Sequence, residues 1–282
     1  MSENKPKVTV AIAMYHVENY IKECVESVLK QDFVNLEIVI CDDCSPDNSA
    51  SIIKSIAQKE IEEGKLRIIK HKENKGIAQV RNTCIDAAMG EYIFFLDGDD
   101  YLAPTAISTL YNKMMEEHAD IVMGKYQKFH VNDGKEVFRD INKCKSGYLI
   151  GEFVVAKWMQ ESNTNYWPVQ LWNKLYNVEW LRTHHIRCTP SHLTHEDNYF
   201  SLQVALIAKS IITVDDVTLF WRMRSGSATH RSANDSLYKE FLSIYDDSYN
   251  KLLEYKKQGV KIPTNLFMFF YSIFTLTSPS EF

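Results

Sequence analysis

The sequence predicts an α/β protein: a mostly parallel sheet flanked by helices, continued by a C-terminal helical appendage. Three observations carry that expectation. The segments starting at Val8, Leu36, Leu66 and Glu91 contain near-continuous apolar runs, as strands buried on both faces do. Between them, apolar residues recur at helical spacing. Two acidic clusters, Asp42-Asp43 and Asp97 to Asp100, both end such runs, where open α/β sheets hold their ligands.

Taken in order, VTVAIAM from Val8 is β-branched and apolar, and is read as the first strand. In the VENYIKECVESVLKQ that follows, Val17, Tyr20, Ile21, Cys24, Val25, Val28 and Leu29 share one helical face. LEIVIC from Leu36 is the second strand. DNSASIIKSIAQKEIEE reads as one helix starting near Asp47 or Asn48 and closed by Gly64. LRIIK from Leu66 is the third strand, and GIAQVRNTCIDAAMG a helix bounded by Gly76 and Gly90. EYIFFLDGDD is the fourth strand and its tip. Pro104 suits the first turn of the next helix. DIVMGKYQKFHVNDGKEVF alternates around Asn132-Asp133-Gly134, which predicts a hairpin. A mixed region then runs to about Ile212, with a helix from Asp197 to Ala208. DSLYKEFLSIYDDSYNKLLEYKKQG predicts a surface helix ending at Gly259. With no repeat and no clear linker, the expected organisation is a domain over 1–230 with a helical extension over 231–282 packed on it.

The 282 residues are 45% hydrophobic and 12% aromatic, enough for a substantial core. The net charge of −5 and the lack of a basic run argue against nucleic acid as a partner. An anionic ligand must then be met by local Lys, Arg or metal. MSENKPK has no signal-peptide core, and six scattered cysteines suit reduced thiols, so a cytoplasmic setting is expected. Cys41 and Cys44 are spaced C-x-x-C, but Asp42 and Asp43 between them disfavour a thiolate. LFMFFYSIFTL, from Leu266 to Leu276, is too short to span a bilayer; docking is the default and peripheral contact at the inner membrane face the alternative.

DGDD poses the chemical question. Carboxylates about 4 Å apart repel by about 1 kcal/mol in water and about 4 at a protein surface, so either water or a cation must be present. An EF-hand loop is excluded by Gly98 and Ser108, and neither a P-loop nor G-x-G-x-x-G occurs. A solvated turn and an open oxygen site for Mg²⁺ or Mn²⁺ both remain.

VTVAIAMYHVENYIKECVESVLKQDFVNLEIVICDDCSPDNS, NKGIAQVRN, GEYIFFLDGDDYLAP, WNKLY and HEDNYF together resemble the family-two inverting glycosyltransferases of the GT-A fold, the type that builds bacterial surface polysaccharide. The likeness runs from about residue 7 to about residue 230. It implies transfer of a sugar from a nucleotide-sugar, usually UDP-linked, to a glycan or lipid-linked acceptor, with Mn²⁺ or Mg²⁺. By that resemblance Asp43 contacts the uracil, Asp42 supports the turn, and Tyr15 lines the nucleoside pocket, although AMYH departs from the usual Pro-x-Tyr-Asn. Asp99 is the expected metal ligand, with Asp97 at the ribose or the metal and Asp100 behind them. Arg81 matches an arginine near the nucleotide; its plain alternative is a solvated helix face. Asp197, rather than Glu196, matches the catalytic base that takes the acceptor hydroxyl's proton. A helix N-terminus would favour the same acids. Trp172, Asn173 and Lys174 are a landmark near donor or acceptor, with core as the default for the tryptophan. Arg222 and Arg224 are expected on the diphosphate, and His230 beside the metal, with Arg231 close by. Three other readings stay open: a zinc site of His185, Cys188, His192 and His195, a nucleotidyltransferase, and a non-catalytic glycan-binding protein.

Overall fold

The computed structural model describes residues 6–142, 147–150, 169–189, 196–224, 235–264 and 266. The chain begins β1 (Val8–Met14), α1 (Ile21–Leu29), β2 (Leu36–Asp42), α2 (Ser49–Ile56), α3 (Gln58–Glu62), β3 (Leu66–Lys70), α4 (Ile77–Ala87) and β4 (Tyr92–Asp97). It continues through β5 (Tyr101–Leu102), α5 (Ala106–Glu117), β6 (Ile121–Asn132), β7 (Lys135–Ile141), β8 (Gly147–Ile150), β9 (Lys174–Asn177), α6 (Val178–Thr183), α7 (Glu196–Ile207), β10 (Ser210–Arg222) and α8 (Asp235–Lys257).

The strands form one sheet in the order β3-β2-β1-β4-β9-β6-β10-β5, with β7 added on β6 and β8 on β10. From β3 to β4 every pairing is parallel, with Ile12 opposite Ile40 on one side and Leu96 on the other. Parallel neighbours need crossover segments, and α1, α2 with α3, and α4 supply them. Burial on both faces is why β1, β2 and β4 are apolar at nearly every position. Beyond β4 the sheet is mixed: β9 runs antiparallel to both β4 and β6, while β6 and β10 are parallel to each other. Unbroken parallel pairing is thus confined to the half that ends at Asp97, with β6 and β10 the one parallel pair beyond it among the described residues.

One expected helix is divided. The segment 47–63 breaks at Ala57 (φ −132°, ψ 30°), giving α2 and α3. Alanine has the highest helix propensity, so the break is a tertiary effect, and Ala57 is fully buried in the core. Asn48 makes no side-chain cap; Asp47 instead accepts from Ser49 N at 3.2 Å and Glu18 N at 2.9 Å, tying the start of α2 to the β1–α1 corner. The β6–β7 hairpin turns on Asp133 (φ 49°) and Gly134 (φ 74°), the paired positive φ values of a two-residue type I′ turn.

The helix α8 lies against α7 and the segment before it. Tyr255 Oη donates to Gln203 Oε1 at 3.4 Å, and Thr189 Oγ1 to Asp247 Oδ2 at 2.6 Å. Among the described residues no helix is long and apolar enough to cross a membrane. Of the apolar stretch from Leu266 to Leu276, Leu266 is buried and the rest lies outside the described residues.

Candidate active site

Three parallel strands end side by side and deliver the acidic clusters. At the tip of β2, Asp42 is buried and its Oδ1 accepts from Ser45 N at 2.7 Å, which holds the turn as expected. Asp43 is buried as well, and its carboxylate is heavily used. Oδ1 accepts from Lys75 N at 2.8 Å and from His71 Nδ1 at 2.7 Å, while Oδ2 accepts from Gly76 N at 2.8 Å. Asp43 thus holds the start of α4, where unpaired N–H groups favour a negative charge. Tyr15, just past β1, is 47% exposed at the same edge.

Further along α4 stands Arg81, only 4% exposed, so the solvated-face alternative does not hold. Its Nη1 donates to Glu196 Oε1 at 2.7 Å and Asp197 Oδ1 at 2.6 Å, and its Nη2 to Asp97 Oδ1 at 3.2 Å. One guanidinium therefore joins the tip of β4 to the first turn of α7. Asp197 Oδ1 also accepts from Leu171 N at 3.1 Å. Burial alone would lower the arginine's pKa, but Asp197, Asp97 and Glu196 outweigh it and hold it charged. One cation cannot neutralise three carboxylates. Burial, then the Asp197 charge, push Glu196 up to about 8 against the pull of Arg81. Burial raises Asp97 also, again with Arg81 opposing.

The rest of the β4 tip meets the end of β10. Asp99 Oδ2 accepts from Arg224 Nε at 2.6 Å, and Asp99 O from Arg222 Nε at 2.9 Å. Asp100 Oδ1 accepts from Arg222 N at 2.8 Å, which places Asp100 as the support behind the other two. Its Oδ2 is buried without a hydrogen-bond partner among the described residues, and burial followed by Asp99 and Asp97 raises this carboxyl well above its usual range. The Arg222 guanidinium reaches Glu23 and lies over Phe129 at 4.5 Å and Tyr20 at 5.1 Å. Arg224 lies over Tyr20 at 5.4 Å. Both arginines thus stand on the acidic tip.

Among the described residues no group of three or more His, Cys, Asp or Glu is placed to hold a metal ion. Asp97 and Asp99 nevertheless fit an open site. Their side chains, 30% and 19% exposed, offer hard oxygen donors from one strand tip. Mg²⁺ and Mn²⁺ take one or two such carboxylates and complete their shell with water and phosphate oxygens.

Other expected residues are less open. Trp172 is 9% exposed and packs on Tyr126 and Trp221 at ring distances of 5.0 and 6.1 Å, in keeping with the core default. Lys174, the first residue of β9, is buried and donates to Gln170 O. Asn173 is a staple: its Nδ2 donates to Gly124 O at 2.9 Å and Lys125 O at 3.2 Å, and its Oδ1 accepts from Thr218 Oγ1 at 2.6 Å. His230, Arg231, His192 and His195 lie outside the described residues. His71, which holds Asp43, was not anticipated; its one signal is a polar residue directly after the third apolar run.

A family model described as Glycosyl transferase family 2 matches residues 9–197, a span that takes in Asp43, Asp97, Asp99, Glu196 and Asp197. The chain belongs to glycosyl transferase family 2. Its relatives include glycosyltransferase GlyA of Streptococcus pneumoniae, 30% identical over 223 residues, which are 78% of this chain and 31% of GlyA. Glycosyltransferase GlyG of the same species is 30% identical over 244 residues, 84% of this chain and 78% of GlyG. The chain thus spans about a third of GlyA's length. Among solved structures, S. aureus TarS 1-349 in complex with UDP-GlcNAc superposes with a TM-score of 0.67 at 23% identity, over 86% of this chain and 66% of that one. At that identity the likeness carries the fold, the GT-A arrangement expected for family 2.

Proposed function

We propose that this chain transfers a sugar from a UDP-sugar, with inversion, to a hydroxyl of a glycan or lipid-linked acceptor in bacterial surface-polysaccharide synthesis. The observation that carries the reading is the gathering of Asp97 and Asp197 on one buried arginine, because it joins the donor end of the crevice to the base. TarS was solved with UDP and with UDP-GlcNAc, which supports a uridine donor. Family membership weighs against a nucleotidyltransferase. The retained carboxylates weigh against a non-catalytic binding protein.

In this reading Tyr15 and Asp43 seat the nucleoside, and Asp99 with Asp97 would hold Mn²⁺ or Mg²⁺. When bound, that ion offsets charge on the diphosphate as it departs. Asp197 accepts the proton of the acceptor hydroxyl as its oxygen bonds to the anomeric carbon and the bond from that carbon to the phosphate oxygen breaks. Arg81 and Leu171 N fix the orientation of Asp197, leaving Oδ2 for the acceptor. Arg222 and Arg224 supply fixed positive charge for the leaving UDP.

Calorimetry and turnover test it together. Asp197→Asn should bind UDP as the wild type does while transfer falls by about 10²–10⁴-fold. Asp99→Ala should lose the part of UDP affinity that depends on Mn²⁺. Equal UDP affinity with and without Mn²⁺ would remove the metal role, and unimpaired transfer by Asp197→Asn would remove the base.

A further inference from the structure

We propose that His71 is a positioning residue for donor recognition: it fixes the Asp43 carboxylate so that the one acceptor direction left on Oδ2 is aimed at the donor's base. The proposal rests on the UDP-sugar reading and adds a residue to it.

The geometry is that of a clamp. An ionised carboxylate only accepts, and has about four acceptor directions. His71 Nδ1 and Lys75 N take two on Oδ1, and Gly76 N takes one on Oδ2. No Lys or Arg pairs with Asp43 among the described residues; its one side-chain donor there is this imidazole. Since the carboxylate cannot donate, Nδ1 carries the hydrogen. The other ring nitrogen, Nε2, lies 2.9 Å from Thr83 Oγ1 on α4 and 3.5 Å from Cys41 Sγ on β2. In a neutral ring Nε2 then accepts, and the Thr83 hydroxyl that donates to it selects the Nδ1–H form. With Nδ1 on Asp43 and Nε2 on Thr83, both ring nitrogens of His71 are engaged within the fold, so it acts through Asp43. Without it the carboxylate keeps one backbone donor on each oxygen, Lys75 N on Oδ1 and Gly76 N on Oδ2, but loses its side-chain donor, so its plane and the free direction on Oδ2 are held less firmly.

Two substitutions separate this role from simple filling of space. The Asn Nδ2 occupies the place of the imidazole Nδ1, whereas the Gln Nε2 occupies that of the imidazole Nε2. His71→Asn therefore keeps the donor to Asp43, and His71→Gln keeps only the contact to Thr83. UDP binding by calorimetry in Mn²⁺ should stay within about threefold of wild type for His71→Asn and weaken about tenfold for His71→Gln. The donor KM should follow the same order while kcat changes less. If both variants bind UDP equally well, or if kcat falls and KM does not, the proposal fails. Imidazole ¹⁵N spectra of the wild type give an answer that needs no variant. His71 should show Nδ1–H, and UDP should shift that signal; a bare Nδ1 overturns the proposal. Wild-type protein that binds neither UDP nor GDP sinks the donor reading itself, whereas wild-type binding with no Asn–Gln difference sinks this proposal alone.

Discussion

Arg81 shows how one side chain sets the protonation of its neighbours. Three carboxylates share its charge, and Glu196, 7% exposed, is the one pushed up to about 8. Its folded-state pKa lies above the ordinary 4.5, so the folded protein holds this proton more tightly than the unfolded chain. The resulting stabilisation is complete below about pH 4.5 and is lost as pH rises through about 8. Glu196→Gln keeps an acceptor for Arg81 and carries no such proton. Its thermal midpoint should gain on the wild type as pH is raised from about 6 to about 9. A pH-independent difference would show that Glu196 is ionised throughout.

At the scale of elements, the staple between β6, β9 and β10 leaves no space at Gly124. A Cβ there would come within 1.8 Å of Thr218 Oγ1 and 2.7 Å of its Cγ2. Thr218 would have to move, and it holds Asn173, two residues after the Leu171 amide that orients Asp197. Gly124→Ala should cost about 1–3 kcal/mol in denaturant unfolding, the usual cost of overpacking, and should lower kcat more than it raises the donor KM. The strands β1, β2 and β4 were legible because burial on both faces writes itself as an apolar run. The strand β10 was not. Asp215 and Asp216 interrupt its pattern where the pairing with β6 shifts register between Thr213 and Val217. The strand β9 is short, at Lys174–Asn177, and opens with a charged residue that turns out to be buried.

Across the whole molecule, the acidic residues were visible in the sequence because residue type and strand end coincide. What each one holds was not visible. Arg81 and Asp197 are 116 positions apart, and no periodicity reports a contact of that range. His71 is a single histidine at a strand end, without a motif to single it out. Asp43 at the start of α4 and Asp197 on its Arg81 are joined through that helix, so ligand held by both should stabilise the fold as a unit. With UDP at about a hundred times its dissociation constant, linkage gives about 2.7 kcal/mol. For a protein of this size that is a rise of about 5 °C in thermal midpoint. The rise should be present with Mn²⁺ and much smaller in EDTA; equal rises would contradict a metal-dependent donor site.

Gly98 has one more consequence. Its amide donates to Ala13 O at 3.0 Å, and a Cβ on it would sit 2.8 Å from that oxygen and 3.1 Å from Val17 Cγ2. The bend that presents Asp97 and Asp99 is therefore wedged against the corner of β1 and α1, which leaves it little room to change shape. On the proposed donor reading, a rigid receiving surface loses little freedom on capture, so the entropic penalty for binding at this tip is small.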